Sequence, residues 1–130
     1  KIYKMAVDWW LNDKKRLDYS KVPEEWQNHK NTESFLNRFQ VVDPFGCCHT
    51  VVAHIAMDGH YYIYPNLNPT VENARSITVR EAARIQSFPD DYYFEGSRTA
   101  AFKQIGNAVS VVLAYKIAAE IKKQFAHELQ

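Results

Sequence analysis

Apolar positions recur at helical spacing near both ends of the chain and bunch into β-branched runs in the middle. Ile2, Met5, Ala6, Trp9 and Trp10 predict a short amphipathic helix over residues 1–12, with the two Trp as core or interface anchors. A polar, mixed-charge stretch follows from Asp13 to Asn31, in which Pro23, Glu24 and Glu25 open a short helix through Trp26. Asn31 or Thr32 is placed to cap another short helix over residues 33–38. Val41 and Val42 run into a turn at Asp43-Pro44-Phe45-Gly46. His49 to Ala56 and Tyr61 to Tyr64 read as two strands, and Asp58-Gly59 between them is a hairpin signal.

The second half of the chain carries clearer helix punctuation. Thr78 caps a helix, and Glu81 three residues later completes a capping box. Val79, Ala82, Ala83 and Gln86 make a close-packing face, while Arg80 and Arg84, four apart, share another. Ser87-Phe88-Pro89 pushes the chain into an extended form and stops the helix. After a loop, Ser97 caps a helix that ends at Gly106, read as a left-handed C-terminal residue. Asn107 then caps a last helix running to about His127. Val109, Val112, Leu113, Ile117, Ile121 and Phe125 form its buried stripe, with Ala114 and Ala118 on a neighbouring face. The fold class predicted is α+β: a small antiparallel β unit followed by a C-terminal helical segment.

Composition narrows the functional classes. The chain has 130 residues and a net charge of +1, whereas a free-standing nucleic-acid-binding domain is usually more basic. No Lys or Arg occurs between Phe39 and Ala74, so the β unit cannot supply the electrostatic grip on phosphates, and basic residues flank it instead. Two adjacent cysteines, Cys47 and Cys48, suit a reducing, cytoplasmic setting. No apolar run is long enough to predict a membrane span. The chain opens on Lys1 rather than Met, which reads as a hint of a piece cut from a longer protein, although a processed chain would look the same.

Four constellations need weighing as chemistry. Gly106-Asn107-Ala108-Val109 sets a Gly before a helix start, where free N–H groups and the positive dipole end accept an anion, although an ordinary helix–helix turn has the same pattern. Thr50 and Val51 follow Cys47-Cys48-His49 in what reads as a half-buried strand. Those cysteines with His49, His54 and His60 do not have zinc-ligand spacing, so no metal site is expected. Arg80, Glu81 and Arg84 read as structural residues of a partly ion-paired helix.

The run Arg80-Glu81-Ala82-Ala83-Arg84, followed downstream by Gln104-Ile105-Gly106-Asn107-Ala108-Val109, resembles the last two blocks, motifs IX and X, of DNA cytosine-5 methyltransferases. The resemblance implies that residues 1–74 are part of a target-recognition domain. It implies that residues 75–130 are a C-terminal helical segment packing on the catalytic domain. It makes Asn107 and the Ala108 amide contacts to S-adenosylmethionine, and Thr50 a contact near the phosphate of a flipped cytosine in double-stranded DNA. Arg80, Glu81, Arg84 and Gly106 become architectural. Ser110-Val111 stands where many members have Pro-Pro. In the complete enzyme a Cys thiolate attacks the flipped cytosine and activates it for methylation. That Cys directly follows a Pro in the family, but Cys47 follows Gly46 and Cys48 follows Cys47, and the family's Gly-rich cofactor loop is missing. No catalytic residue is therefore expected here, and the chain alone is expected to be inactive. The alternatives are a small subunit of a split methyltransferase, completed by a partner chain, and a non-catalytic DNA-binding or interaction module.

Overall fold

Ile2–Asp13 (α1), Val79–Ile85 (α2), Arg98–Asn107 (α3) and Val111–Ala126 (α4) are the α-helices of the computed structural model, which describes residues 1–27 and 38–126. Residues 33–37 of the helix expected after Asn31, and His127 at the expected end of the last helix, lie outside them. Single 3-10 turns occur at Tyr19–Lys21, Glu24–Trp26, Ala53–Ala56 and Gly59–Tyr61.

The antiparallel β unit is not formed; the described residues contain no β-strand, and the α+β expectation is overturned. Only isolated bridges occur, Val41 with Ile63 in parallel and Ile63 with Ser76 antiparallel. The expected hairpin fails at its turn. A type I′ turn needs positive φ at both central residues, but Asp58 has φ −120° and Gly59 is not among the positive-φ residues. His49–Ala56 is no strand either. The Tyr62 hydroxyl donates to Thr50 O at 2.9 Å and accepts from Val52 N at 3.2 Å, so a side chain takes the place of a ladder. The chain then coils at Ala53–Ala56, where α3 presses against it.

Three short extended segments nevertheless tie the molecule together. Ile63 N donates to Gln40 O at 2.9 Å, and Ile63 O accepts from Val42 N at 3.0 Å. On the other side Tyr64 N reaches Arg75 O and Ile77 N reaches Tyr62 O, both at 2.9 Å. Side chains alternate across extended backbone, so this ribbon serves as a shared wall. Val41 and Ile63 face one core, built on Ala6, Val7 and Trp10 of α1 with Leu17, Tyr19, Val22 and Phe39. Val42 and Tyr62 face the other, built on Ala82 and Ala83 of α2 and Ala101, Phe102 and Ile105 of α3.

α4 is the exception. Its expected stripe is present but not buried: Val112, Leu113, Ile117, Ile121 and Phe125 are between 49% and 57% exposed, and no residue of the helix is buried. Nothing among the described residues covers that face.

Candidate functional site

The segment around Asn107 is held by the end of α2. α2 begins as its sequence predicts. The Thr78 hydroxyl accepts from Glu81 N, and the Glu81 carboxylate accepts from Thr78 N at 2.7 Å, closing a capping box. The helix ends in a left-handed turn at Ser87, φ 57°, with Ser87 N bonded to Arg84 O and Phe88 N to Ala83 O. That pairing is a Schellman closure with Ser in the place Gly usually takes; it stops the helix before Pro89 is reached.

Gln86 and Ser87 then reach across to both neighbouring helices. Gln86, only 9% exposed, donates its side-chain N–H groups to Ile105 O and Ala108 O, both at 3.2 Å. Its own carbonyl accepts from Val111 N at 3.2 Å, and the Ser87 hydroxyl accepts from Val112 N at 3.0 Å while contacting Ser110 Oγ. The first turn of α4 is thus capped by the last turn of α2. Sequence reading missed this junction, because neither residue has a local partner that would mark it.

Gly106 and Asn107 sit differently from the expectation. Gly106 lies inside α3 with ordinary helical backbone and is not its left-handed end. What it supplies is close approach: a Cβ there would meet Val52 O at 2.6 Å and Ala53 Cα at 2.8 Å. Asn107 is the last residue of α3 and caps nothing, since α4 starts at Val111. The Ala108 amide is not free, being bonded to Ile105 O at 3.2 Å. The Asn107 side chain is exposed and has no hydrogen-bond partner among the described residues, so it remains available to a ligand.

The charged residues of α2 hold neighbouring loops. Arg75 forms a two-pronged pair with Glu81 at 2.8 and 2.9 Å and stacks 4.0 Å over the Tyr64 ring. The Arg75 hydrogen bonds, more than the backbone ones, push the Glu81 carboxyl down to about 2. Arg80 donates to Pro89 O and Tyr92 O, and Arg84 grips Asp90 at 2.8 and 2.9 Å. These contacts fix the loop after α2; the Arg84–Asp90 pair is exposed and adds little stability of its own.

Thr50 is exposed, at the edge of a cleft that also holds Gln40, His49, His54 and Asp58. Its carbonyl is taken by Tyr62, while its hydroxyl has no partner among the described residues. His49 stacks on Tyr62 with ring centres 4.6 Å apart, and burial lowers its pKa. Next to it the Cys48 thiol is pushed up to about 11 by burial. A thiol in such surroundings stays protonated and inert. The structure does not bring Thr50 and Asn107 into one cleft, since Asn107 is not among the residues lining the Thr50 cleft.

Residues 5–123 match the family described as C-5 cytosine-specific DNA methylase. The chain is 47% identical over 121 residues to the type II methyltransferase M.Bpa9945I of Bacillus paralicheniformis, covering 93% of this chain and 26% of that protein. It is 41% identical over 92 residues to the type II methyltransferase M.AgeI of Thalassovita gelatinovora, covering 71% of this chain and 20% of that one. With M.Eco47II of Escherichia coli it shares 56% identity over 46 residues, 35% of this chain and 11% of the relative. The chain therefore spans about a quarter or less of the length of these curated relatives. No solved structure matches.

Proposed function

The chain belongs to the C-5 cytosine-specific DNA methylase family, and from that premise we propose that it is the C-terminal part of a type II DNA cytosine-5 methyltransferase of a restriction–modification system. Residues 1–74 serve as the end of the target-recognition domain. Residues 75–130 are the segment that returns to the catalytic domain, which is the partner of this chain, whether joined to it or carried as a separate subunit.

The observation that carries the reading is α4. A 16-residue helix with a complete apolar stripe is made for burial, yet every residue of that stripe is open to solvent here. Its N-terminus is pinned by Gln86 and Ser87, so the helix is presented in a fixed place, with its apolar side waiting for a surface. Burying a Leu, Ile or Phe side chain contributes about 1.5–3 kcal/mol each, so docking of this stripe is strongly favoured.

S-adenosylmethionine supplies the methyl group in this reaction class. Of the two residues expected to touch it, Asn107 fits, since its side-chain amide is exposed and has no partner among the described residues. The Ala108 amide and carbonyl are both engaged within the chain, so Ala108 contributes by fixing the backbone beside Asn107. Thr50 holds a DNA phosphate with its free hydroxyl, positioning the strand without reading its sequence. The nucleophile lies elsewhere in the parent. Neither cysteine follows a proline, and the burial that raises Cys48 suits a structural thiol.

The test is to express this chain and the remaining upstream polypeptide separately and mix them. The two should co-elute, and amide exchange along α4 should slow. Ile117→Asp with Ile121→Asp should abolish both effects. If α4 exchanges equally fast with and without the upstream polypeptide, the docking role is wrong.

A further inference from the structure

α1 ends at Lys14 in a left-handed conformation, φ 53°, its N–H bonded to Trp10 O at 2.8 Å. Glycine is favoured at such a position because a side chain crowds the backbone. A long cation stands there instead, with its Nζ 4.1 Å from the centre of the Trp10 ring. Lys15 and Arg16 follow, all three exposed, and none of them closes an ion pair among the described residues. Asp18 feels the charge of Arg16, but its carboxylate is already taken by Ser20.

The fold brings this run beside the cleft that holds Thr50. Lys14 and Arg16 line a hollow of about 310 Å³ that Gln40 and His49 also line. Gln40 and His49 also line the larger Thr50 cleft, about 570 Å³, and so form a wall common to both. His49 Nε2 is buried at this wall with no hydrogen-bond partner of ordinary geometry among the described residues. Asp43 also faces the smaller hollow, but one of its carboxylate oxygens is occupied by Phe45 N at 2.9 Å.

We infer that Lys14 and Arg16 form a phosphodiester-binding site, and that one DNA strand crossing the Gln40–His49 wall is held there and at the Thr50 hydroxyl together. The inference rests on the proposed role of Thr50 and extends it to a stretch that carries none of the family's recognisable blocks. Its physical need is plain. Residues 39–74 contain no Lys or Arg, so the Thr50 cleft by itself offers a phosphate a neutral hydroxyl and the imidazoles of His49 and His54, beside Asp58. A hydroxyl positions a strand, but cations supply the affinity by releasing counterions. The basic run at the end of α1 provides the missing charge from the adjoining hollow.

The experiment is a salt titration of the full chain on a short labelled duplex, followed by fluorescence anisotropy at low ionic strength. Each phosphate contact contributes about 0.9 to the slope of log K against log salt. Lys14→Gln with Arg16→Gln should therefore lower the slope by about 1.8. Lys14→Gly should lower it by about 0.9 while raising the melting temperature, since glycine relieves the left-handed residue; this separates lost binding from lost folding. Lys116→Gln with Lys122→Gln, matched in charge but on α4, should leave the slope unchanged. If the chain binds DNA and the Lys14/Arg16 variant keeps its slope, or the α4 variant loses as much, this inference is wrong and the Thr50 reading stands. A chain that binds no DNA at any salt overturns both.

Discussion

A methyl group added at Gly106 would fall 2.6 Å from the Val52 carbonyl oxygen and 2.8 Å from Ala53 Cα. Both are backbone atoms, which cannot swing aside. Gly106→Ala should therefore destabilise the chain by about 1–3 kcal/mol through overpacking, although alanine is the better helix former by about 1 kcal/mol. A denaturant melt checks the sign; a variant as stable as the parent would mean that α3 can move off the Val52–Ala53 backbone. Asn107 is exposed at the end of α3 and caps no helix, so Asn107→Ala should leave stability within about 0.5 kcal/mol of the parent. In the complete enzyme it should nevertheless weaken S-adenosylmethionine binding, and Asn107→Asp should weaken it further by repelling the cofactor's carboxylate. Calorimetric titration of both variants decides this. Unchanged affinity in the two would remove Asn107 from the cofactor site.

α2 shows how far local signals reach. Its capping box and the Ser97 cap of α3 were legible in the sequence because donor and acceptor lie within three residues of each other. The Arg75–Glu81 pair adds a pH signature. Glu81 sits at about 2 in the folded chain, below its ordinary 4.5. A depressed carboxyl contributes stability that is complete above the unfolded value and is lost as pH falls through the folded one. Melting temperature should thus drop between about pH 4.5 and pH 2, and Glu81→Gln should flatten that drop while lowering stability at neutral pH. A variant with the same acid profile as the parent would assign the transition to another group. The middle of the chain was misread for the converse reason. β-branched residues and Asp58-Gly59 pointed to a hairpin, but Tyr62 and the packing of α3 decided the backbone, and those contacts join distant positions. Likewise, Gln86 and Ser87 gave no local hint that they cap α4, and Gly106 looked like a helix stop because close approach leaves no mark in sequence.

At the scale of the whole molecule, two cores share the Ile63 wall, α1 with its basic end lies on one side, and α4 stands with its apolar face uncovered. The stripe on α4 was legible as spacing; its exposure was not, because spacing marks an apolar face and not what covers it. A chain presenting that face should self-associate as concentration rises, and Ile117→Asp with Ile121→Asp should keep it monomeric in sedimentation. The central claim is that this chain completes a cytosine-5 methyltransferase without containing its chemistry. The direct measurement is transfer of labelled methyl from S-adenosylmethionine to DNA by the chain alone, by the upstream polypeptide alone, and by the two mixed. The account predicts incorporation into cytosine only in the mixture, and its loss when Ile117→Asp and Ile121→Asp break the docking face. Methyl transfer by the chain alone, or full activity of the upstream polypeptide without it, would contradict the account.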